Sequence, residues 1–597
     1  MSWIQKLYET YKSCSSGILP DAPNPISHTT QMAHIEIVID DQGNFRRAKV
    51  IENKDEQKTL IPCTEESGGR AGTKPKNHPL CDKLQYIAGD FVKYGGKVTL
   101  GFADKPSEPY DNLLDMLGKW KESGNHPMVT AIYTYLKKGT VVADLVKLSI
   151  LPTVPNGKVV AESFEGNKKS APSIFRVLPQ GQVPMDAFVR FRIEGDITET
   201  ATWDSASLKE SWISFYKSLL KTEGFCAVTG EEKAKLAENH PAKLRHDADK
   251  AKLISSNDTT GYTFRGKFLT AEQAAGVSFE VTQKAHSALQ WLIRRQAFRS
   301  GDQVFVSWAT TGKPIPDPCA NSWDFLGDDF QTSDASISQA GDVGQSFALR
   351  FNRKLAGYKA NITDTEDIVI MGLDSATQGR MAITFYRELT GSEFLTRIEK
   401  WHSDFSWFQD FSKDKKFVGA PSPKDIAWCA YGKKAEGKNG IKVLNATVER
   451  LMPSIIDGRP FPRDLVEQCV RHASNRVALE PWEFEKCLGI ACSLYKGFYY
   501  ERRYIMALEE ERKTRDYLYG SLLAVADQIE SKALQLAKEN RGTTASRLMQ
   551  RFSERPFSTW KNIEEALKPY KDRIRAKYPP LLEGYEDDFA SSIKSTT

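Results

Sequence analysis

The sequence is first informative through what it lacks. No run of apolar residues is long enough to cross a bilayer. The opening MSWIQKLYETYKS is amphipathic but has no apolar core of the signal-peptide kind. A cytoplasmic protein without membrane contact is therefore expected, and the glycosylation-like triplets at Asn257, Asn361 and Asn445 are read as chance. Cysteine is sparse: nine are scattered over 597 residues without a repeated spacing. The closest pair, Cys487 and Cys492, has no histidine or cysteine neighbour, whereas zinc sites want ligand pairs about two to four residues apart. Reduced, mostly buried thiols are expected. A charge excess is missing too: 82 Lys and Arg stand against 77 Asp and Glu, a net +5. Nucleic-acid binding would have to come from local clustering of basic residues.

Catalytic signatures are equally thin. There is no Gly-x-Ser-x-Gly elbow and no His-Glu-x-x-His helix. Gly261 to Lys267 fits seven positions of a phosphate-binding loop, but Phe268 stands where a magnesium-binding Ser or Thr is required. Tyr262, Phe264 and Arg265 are too bulky for a phosphate cradle. His246-Asp247 has only His240 as a close partner, too few ligands for a metal phosphohydrolase. Asp328-Asp329 lies in a loop without histidine context. The expectation is a non-enzyme with no cofactor and no metal. A stand-alone metal-dependent nucleic-acid enzyme is the first rival and a scaffold without DNA contacts the second.

What is present suggests an α+β protein of three or four units. The division read from pattern and composition is 1–224, an α+β region; 225–390, a central α+β region with a lysine-rich insertion; 391–479, a helical connector; and 480–597, an all-α helical bundle. Trp3, Ile4, Leu7, Tyr8 and Tyr11 share one helix face. Residues 34–51 alternate around the turn Asp41–Asn44, as a β-hairpin does. Helices are expected over 113–120, 129–136 and 281–298, and from Trp203 through Tyr216. VVADLVKLSIL fits helix or buried strand. SIFRVLP and AFVRFRIE read as strands, the second with Phe188, Arg190 and Arg192 on one face, either solvated or supporting a nucleic-acid backbone. DQVFVSWA reads as a strand, 312–345 as loop, and 367–389 as strand, turn, strand. Helices should dominate after 390, as two helical hairpins before 480. In the last segment Leu518, Leu522, Val525 and Ile529 form a heptad-like seam.

The stretch with the clearest functional composition is Ser67 to Asp82. Gly68, Gly69 and Gly72 permit close approach, Pro75 and Pro79 stiffen the chain, and Arg70, Lys74 and Lys76 supply charge. Asn77 and His78 add neutral donors and acceptors. No acid falls between Arg70 and His78. Such a loop suits a phosphate backbone and a groove edge, and a solvated surface loop would have similar composition. Two further basic groups stand out. Arg294 and Arg295 end a helix, where they also complement its dipole. Arg547, Arg551 and Arg555, spaced by four, form either a solvated face or a phosphate-tracking stripe.

The run from this loop into HPLCDKLQYIAGD resembles the N-terminal motif of the large subunit of type I-C CRISPR Cascade complexes. Further blocks follow in order: Cys226-x-x-Thr229-Gly230, His240-Pro241, Ser255-Ser256-Asn257 and Gly276-Val277-Ser278. Next come a helix over Ala285–Leu292, Gly301-Asp302, Trp308-Ala309, GRMAITFYRE at 379–388 and DGRPFPRDLVEQCVRH at 457–472. The ordered set is far more specific than any one block.

The resemblance implies a non-catalytic subunit of a crRNA-guided complex. In such complexes guide pairing reads the target, and protein reads a short flanking duplex motif, the PAM. Implied partners are the backbone and crRNA-processing subunits, the small subunit, crRNA, double-stranded target DNA and the helicase-nuclease. The implied tasks are PAM reading, duplex opening, R-loop stabilisation and nuclease recruitment. The family loop usually carries a shorter Arg-Ser/Thr-Gly segment, so the added Gly and Lys here are a departure. On this resemblance the DNA-binding set is Arg70, Thr73, Lys74, Lys76, Asn77 and Gln85, with Arg294, Arg295, Arg547, Arg551 and Arg555 outside the loop. Phosphates would fall to Arg70, Lys74 and Lys76, and a groove edge to Asn77 with Thr73 or Gln85. The C-terminal bundle would correspond to the separate small subunit, with Val477 or Met506 as internal starts.

Overall fold

The computed structural model describes residues 2–15, 22–70, 72–164, 170–196, 198–246, 249–255, 268, 271–327, 340–377, 379–509, 511–577, 579–580 and 583. The loop at 261–267, Asp247, Asn257 and Asp328-Asp329 lie outside these residues. The fold is α+β, as read from pattern. It divides into one unit of residues 1–297, 310–312 and 373–383, and another of 298–309, 313–372 and 384–597. The central region read from composition is thus shared between the two units.

The first unit holds β1 (His28–Met32), β2 (Ile35–Asp40), β3 (Phe45–Val50), β4 (Lys58–Pro62) and β5 (Val189–Glu194). The expected hairpin is β2–β3, with Ile37 opposite Ala48. Its turn is closed by the Asp40 carboxylate, which accepts from the Asn44 amide at 2.7 Å. β5 adds in parallel on the far side of β2, with Ile37 opposite Phe191. β2 is therefore a central strand, and all six of its residues are buried. Ile35, Ile37 and Ile39 join one core with Leu113, Leu117 and Trp120 of the Glu108–Gly124 helix and Ile132 and Tyr135 of the Pro127–Lys137 helix.

On the opposite sheet face Glu36 takes Arg190 at 2.7 Å and Arg192 at 3.1 Å. The Arg190 guanidinium also lies 3.7 Å from the Trp203 ring centroid. Arg190 is buried, so this face of β5 is neither simply solvated nor free for a backbone; it is an internal ion cluster. Ser173–Val177, expected as strand, is one helical turn. Pro172 starts it, and Ile174 and Phe175 are buried in the core. VVADLVK is helix.

A four-stranded sheet has the order Arg380–Thr390, Asp367–Thr377, Gln303–Ala309, Phe298–Ser300. Ser322–Leu326 is helical inside the stretch read as loop, and the Ala340–Asn361 helix begins within it. A second correction is the antiparallel pair Trp407–Ser412 and Lys415–Gly419, where only helices were expected. Gln409 in that pair is buried and donates to the Gly419 and Gly489 carbonyls. The Pro481–Phe498 helix belongs to the main core of the second unit through Cys487, Ile490 and Leu494.

The helices Arg515–Ala537, Thr544–Glu554 and Pro556–Lys577 have a separate core. Leu522 and Ile529 of the expected seam lie in it; Ala526 takes the fully buried place and Val525 only packs against the core. All nine cysteines are free, and eight are buried. Among the described residues no helix is long and apolar enough to cross a membrane. Nor do three His, Cys, Asp or Glu side chains group as a metal site.

Candidate nucleic-acid interface

The basic loop stands on a short helix, Glu65–Gly69, that begins directly after β4. Thr64 and Ser67 cap it reciprocally: the Ser67 amide donates to Thr64 Oγ1 at 3.0 Å and the Thr64 amide to Ser67 Oγ at 2.9 Å. That capping box draws Gly68 and Gly69 into the helix. The reversal falls on Arg70, which caps the helix in the left-handed region with φ 45°, and on Gly72 at φ 90°.

Arg70 turns inward. One terminal nitrogen donates to both carboxylate oxygens of Asp82, and the guanidinium lies 5.1 Å from the Tyr86 ring centroid. Asp82 is wholly buried. It also accepts from the His78 amide and the Lys83 amide, each at 2.7 Å. Burial pushes its carboxyl up, against the pull of Arg70 and these amides. Tyr86 Oη donates to the Pro75 carbonyl at 3.1 Å. Asn77 is only 6 % exposed and its Nδ2 donates to the His78 carbonyl at 3.2 Å. His78 is buried, and burial together with Arg70 holds its ring neutral. Arg70, Asn77 and His78 are thus the inner frame of the loop rather than its outer surface.

The exposed tip is Gly72, Thr73, Lys74 and Lys76. Lys74 reaches Glu108 at 2.8 Å and Lys76 reaches Glu66 at 3.7 Å. The tip rests on a second segment. A Cβ on Gly101 would overlap the Thr73 carbonyl, so this contact admits only glycine. Gln85, half-buried, accepts from the Thr99 amide at 3.1 Å and from Thr99 Oγ1 at 3.2 Å. Gln85 also lines a cleft of about 180 Å³ with Lys83 and Lys97. Leu100, between Thr99 and Gly101, is 88 % exposed. This second segment was not anticipated from sequence; Leu100 there stands in the short alternation Val98, Leu100, Phe102.

Glu65, at the root of the helix, accepts from the Asn239 amide at 3.2 Å. Its own amide donates to Tyr216 Oη at 3.0 Å. Burial pushes its carboxyl up to about 7. The loop base is therefore tied to the segment that carries His240-Pro241, a link no local pattern announces.

The remaining basic residues lie apart from the loop in sequence and element. Arg294 and Arg295 are exposed at the end of the Phe279–Gln296 helix; Arg295 stacks 5.0 Å from Trp291 and donates to the Gly312 carbonyl at 3.4 Å. Arg547 and Arg551 are exposed on the Thr544–Glu554 helix, with Arg547 donating to Thr544 Oγ1 at 3.1 Å. Arg555 is the residue that ends this helix, at φ −138°, so it leaves the shared face. No carboxylate partner for Arg551 or Arg555 is found among the described residues. Phe557, 61 % exposed, follows with the Lys561 ammonium 4.9 Å from its ring centroid.

Comparison with known families names the class of this mixed α+β protein: it is a CRISPR-associated protein. The family described as CRISPR-associated protein (Cas_Csd1) matches residues 7–594, and the chain belongs to it. No curated protein matches the chain.

Proposed function

We propose that this chain is the non-catalytic large subunit of a type I-C Cascade effector complex that reads the PAM in double-stranded DNA. The observation that carries this reading is the loop itself: an internally bonded frame from Arg70 to Asp82 holds Thr73, Lys74 and Lys76 outward on a fixed base. Preorganised donors on a rigid support suit groove and phosphate recognition. Lys74 and Lys76 meet phosphates, giving salt-dependent affinity. Thr73 and Gln85 face a groove edge, and Asn77 acts from beneath by holding the His78 turn. Leu100, exposed beside the tip, is the apolar group placed to enter a base step as the duplex opens. Arg294 and Arg295, and the Arg547, Arg551 and Arg555 set, serve the displaced strand and R-loop. Partners in this reading are the other Cascade subunits, crRNA, target DNA and the helicase-nuclease.

A scaffold without DNA contacts is supported by one observation: Lys74 and Lys76 already face Glu108 and Glu66. Exposed pairs contribute only about 0–1 kcal/mol, so a duplex phosphate exchanges for them readily. DNA reading is therefore the better account. The test is binding of the crRNA-containing complex to duplexes with intact and scrambled PAM. Lys76→Ala weakens both in this reading, and Thr73→Ala and Gln85→Ala narrow the difference. Unchanged discrimination in every variant of the loop removes it from the reader role. Cleavage by the isolated chain with magnesium or manganese would replace the reading with an enzyme.

A further inference from the structure

The cleft beside the loop tip, lined by Lys83, Gln85 and Lys97, also contains two adjacent glycines, Gly95 and Gly96. Gly95 stands at φ 89°. The stem of Lys158 lies along it, its Cβ 3.3 Å from where a Gly95 Cβ would stand. A Cβ on Gly96 would come within 2.6 Å of the buried Phe91 ring. The Val159 amide donates to the Tyr94 carbonyl at 3.0 Å and ties the Lys158 segment to this turn. Two successive positions without side chains, one packed on a ring, form a firm floor that another molecule's backbone can approach closely.

The charge around this floor is mainly positive. Three segments form the cleft. Residues 83–99 carry Lys83, Lys93, Lys97 and Asp90; residues 158–162 carry Lys158 and Glu162; residues 183–186 carry Asp186. Asp90 is buried and accepts from the Val142 and Ala143 amides at 3.0 and 2.8 Å. Asp186 is half-buried and accepts from the Val183 amide at 3.1 Å. Glu162 is the one exposed acid on these segments. None of the four lysines has a carboxylate partner among the described residues, whereas Lys74 and Lys76 at the tip face Glu108 and Glu66.

Cleft and tip are joined. Thr99 lines the cleft and donates to Gln85, and two residues on Gly101 lies against the Thr73 carbonyl. Lysine, glutamine and threonine are the usual donors to a sugar–phosphate backbone. An acidic protein segment would match the charge, but continuity with the tip favours the strand the tip would meet.

We propose that the Lys83–Lys97 cleft holds a phosphate of the target duplex, a contact separate from those of Lys74 and Lys76. This contact presupposes the DNA-reading role of the loop and adds a sequence-independent anchor beside it.

The experiment is phosphate-ethylation interference with the crRNA-containing complex, on duplexes with intact and scrambled PAM, together with a salt series. Lys97→Ala and Lys83→Ala should each lower the slope of log affinity against log salt by about 0.9. Both should weaken the two duplexes by the same factor, and Lys97→Arg should restore binding. Ethylation of one phosphate should matter to the wild type and to Lys76→Ala, but no longer to Lys97→Ala. An unchanged slope, an unchanged interference pattern in Lys97→Ala, or loss of the same phosphate in Lys76→Ala overturns the assignment. So does loss of the chain from the complex in Lys97→Glu, which marks a protein contact. A wild type that binds both duplexes equally removes the PAM reading instead, while slope and interference still report on the cleft.

Discussion

Arg70 and Asp82, twelve residues apart, clasp the two ends of the basic loop through a carboxylate that has no solvent exposure. Removing one partner of a buried pair strands the other charge, which costs about 3–5 kcal/mol. Arg70→Ala should therefore lower the thermal midpoint of the chain and abolish PAM discrimination together. Because Arg70 faces inward, high salt should not reproduce the defect. Calorimetry beside duplex binding checks this; wild-type stability with only salt-sensitive binding loss would return Arg70 to the DNA surface.

Gly101→Ala separates position from charge. The added methyl meets the Thr73 carbonyl, and overpacking of this kind costs about 1–3 kcal/mol. Loop binding should weaken with every lysine intact. Gly69→Ala is the contrast: it is helical and meets no atom nearby, so stability should hold or rise by about 0.5–1 kcal/mol. Comparable binding losses in both would contradict the contact.

Leu100→Ala should leave affinity for a pre-opened duplex near wild type while slowing opening of a paired one. 2-Aminopurine fluorescence scanned across the base pairs flanking the PAM reads the difference. Equal opening rates would leave the exposed leucine without a DNA role.

Acid should destabilise the fold above the pH at which ordinary carboxylates titrate. Burial lowers His28, His34 and His286 to about 4, and His240 and His402 to about 3. These rings are neutral in the folded state, so their contribution is complete above the unfolded value near 6.5. It is lost as pH falls from there towards 4. Glu65 and Asp317, raised to about 7 and about 6, act in the opposite sense, since folding favours their protonated forms. Five histidines outnumber these two acids, and each fully shifted ring gives a slope of about 1.4 kcal/mol per pH unit. The thermal midpoint should fall between pH 7 and pH 5, and the His402 ring signal in NMR should not titrate above pH 5.

Arg551→Ala and Arg555→Ala should each reduce single-stranded DNA affinity and lower the salt slope by somewhat under one. Because Arg555 leaves the helix face, the two effects need not be equal. Filter binding across a salt series checks both.

Much of this was legible from pattern, and the failures share a cause. The β2–β3 hairpin, the long helices and the heptad-like seam follow from local period. Ser173–Val177 misled because its β-branched and aromatic residues suit a strand, whereas Pro172 and the core position of Ile174 impose a helical turn. The hairpin at 407–419 was missed because the buried residue of its first strand is Gln409, a polar side chain whose amide donates to the Gly419 and Gly489 carbonyls. In the loop, the glycines suggested close approach to a ligand, but the Thr64–Ser67 capping box holds two of them in a helix. Asp82 could not be chosen as the anchor from sequence, since its pairing with Arg70 is made by the fold. Glu65 and Leu100 acquire their character from neighbours dozens or hundreds of residues away.

The division of labour within the loop has a practical consequence. The residues that grip its frame, Arg70, Asn77, His78 and Asp82, are distinct from those offered outward, Thr73, Lys74 and Lys76. If the loop reads the PAM as proposed, a library confined to positions 73, 74 and 76 would vary its outward face on an unaltered chassis and serve as a cassette for retargeting.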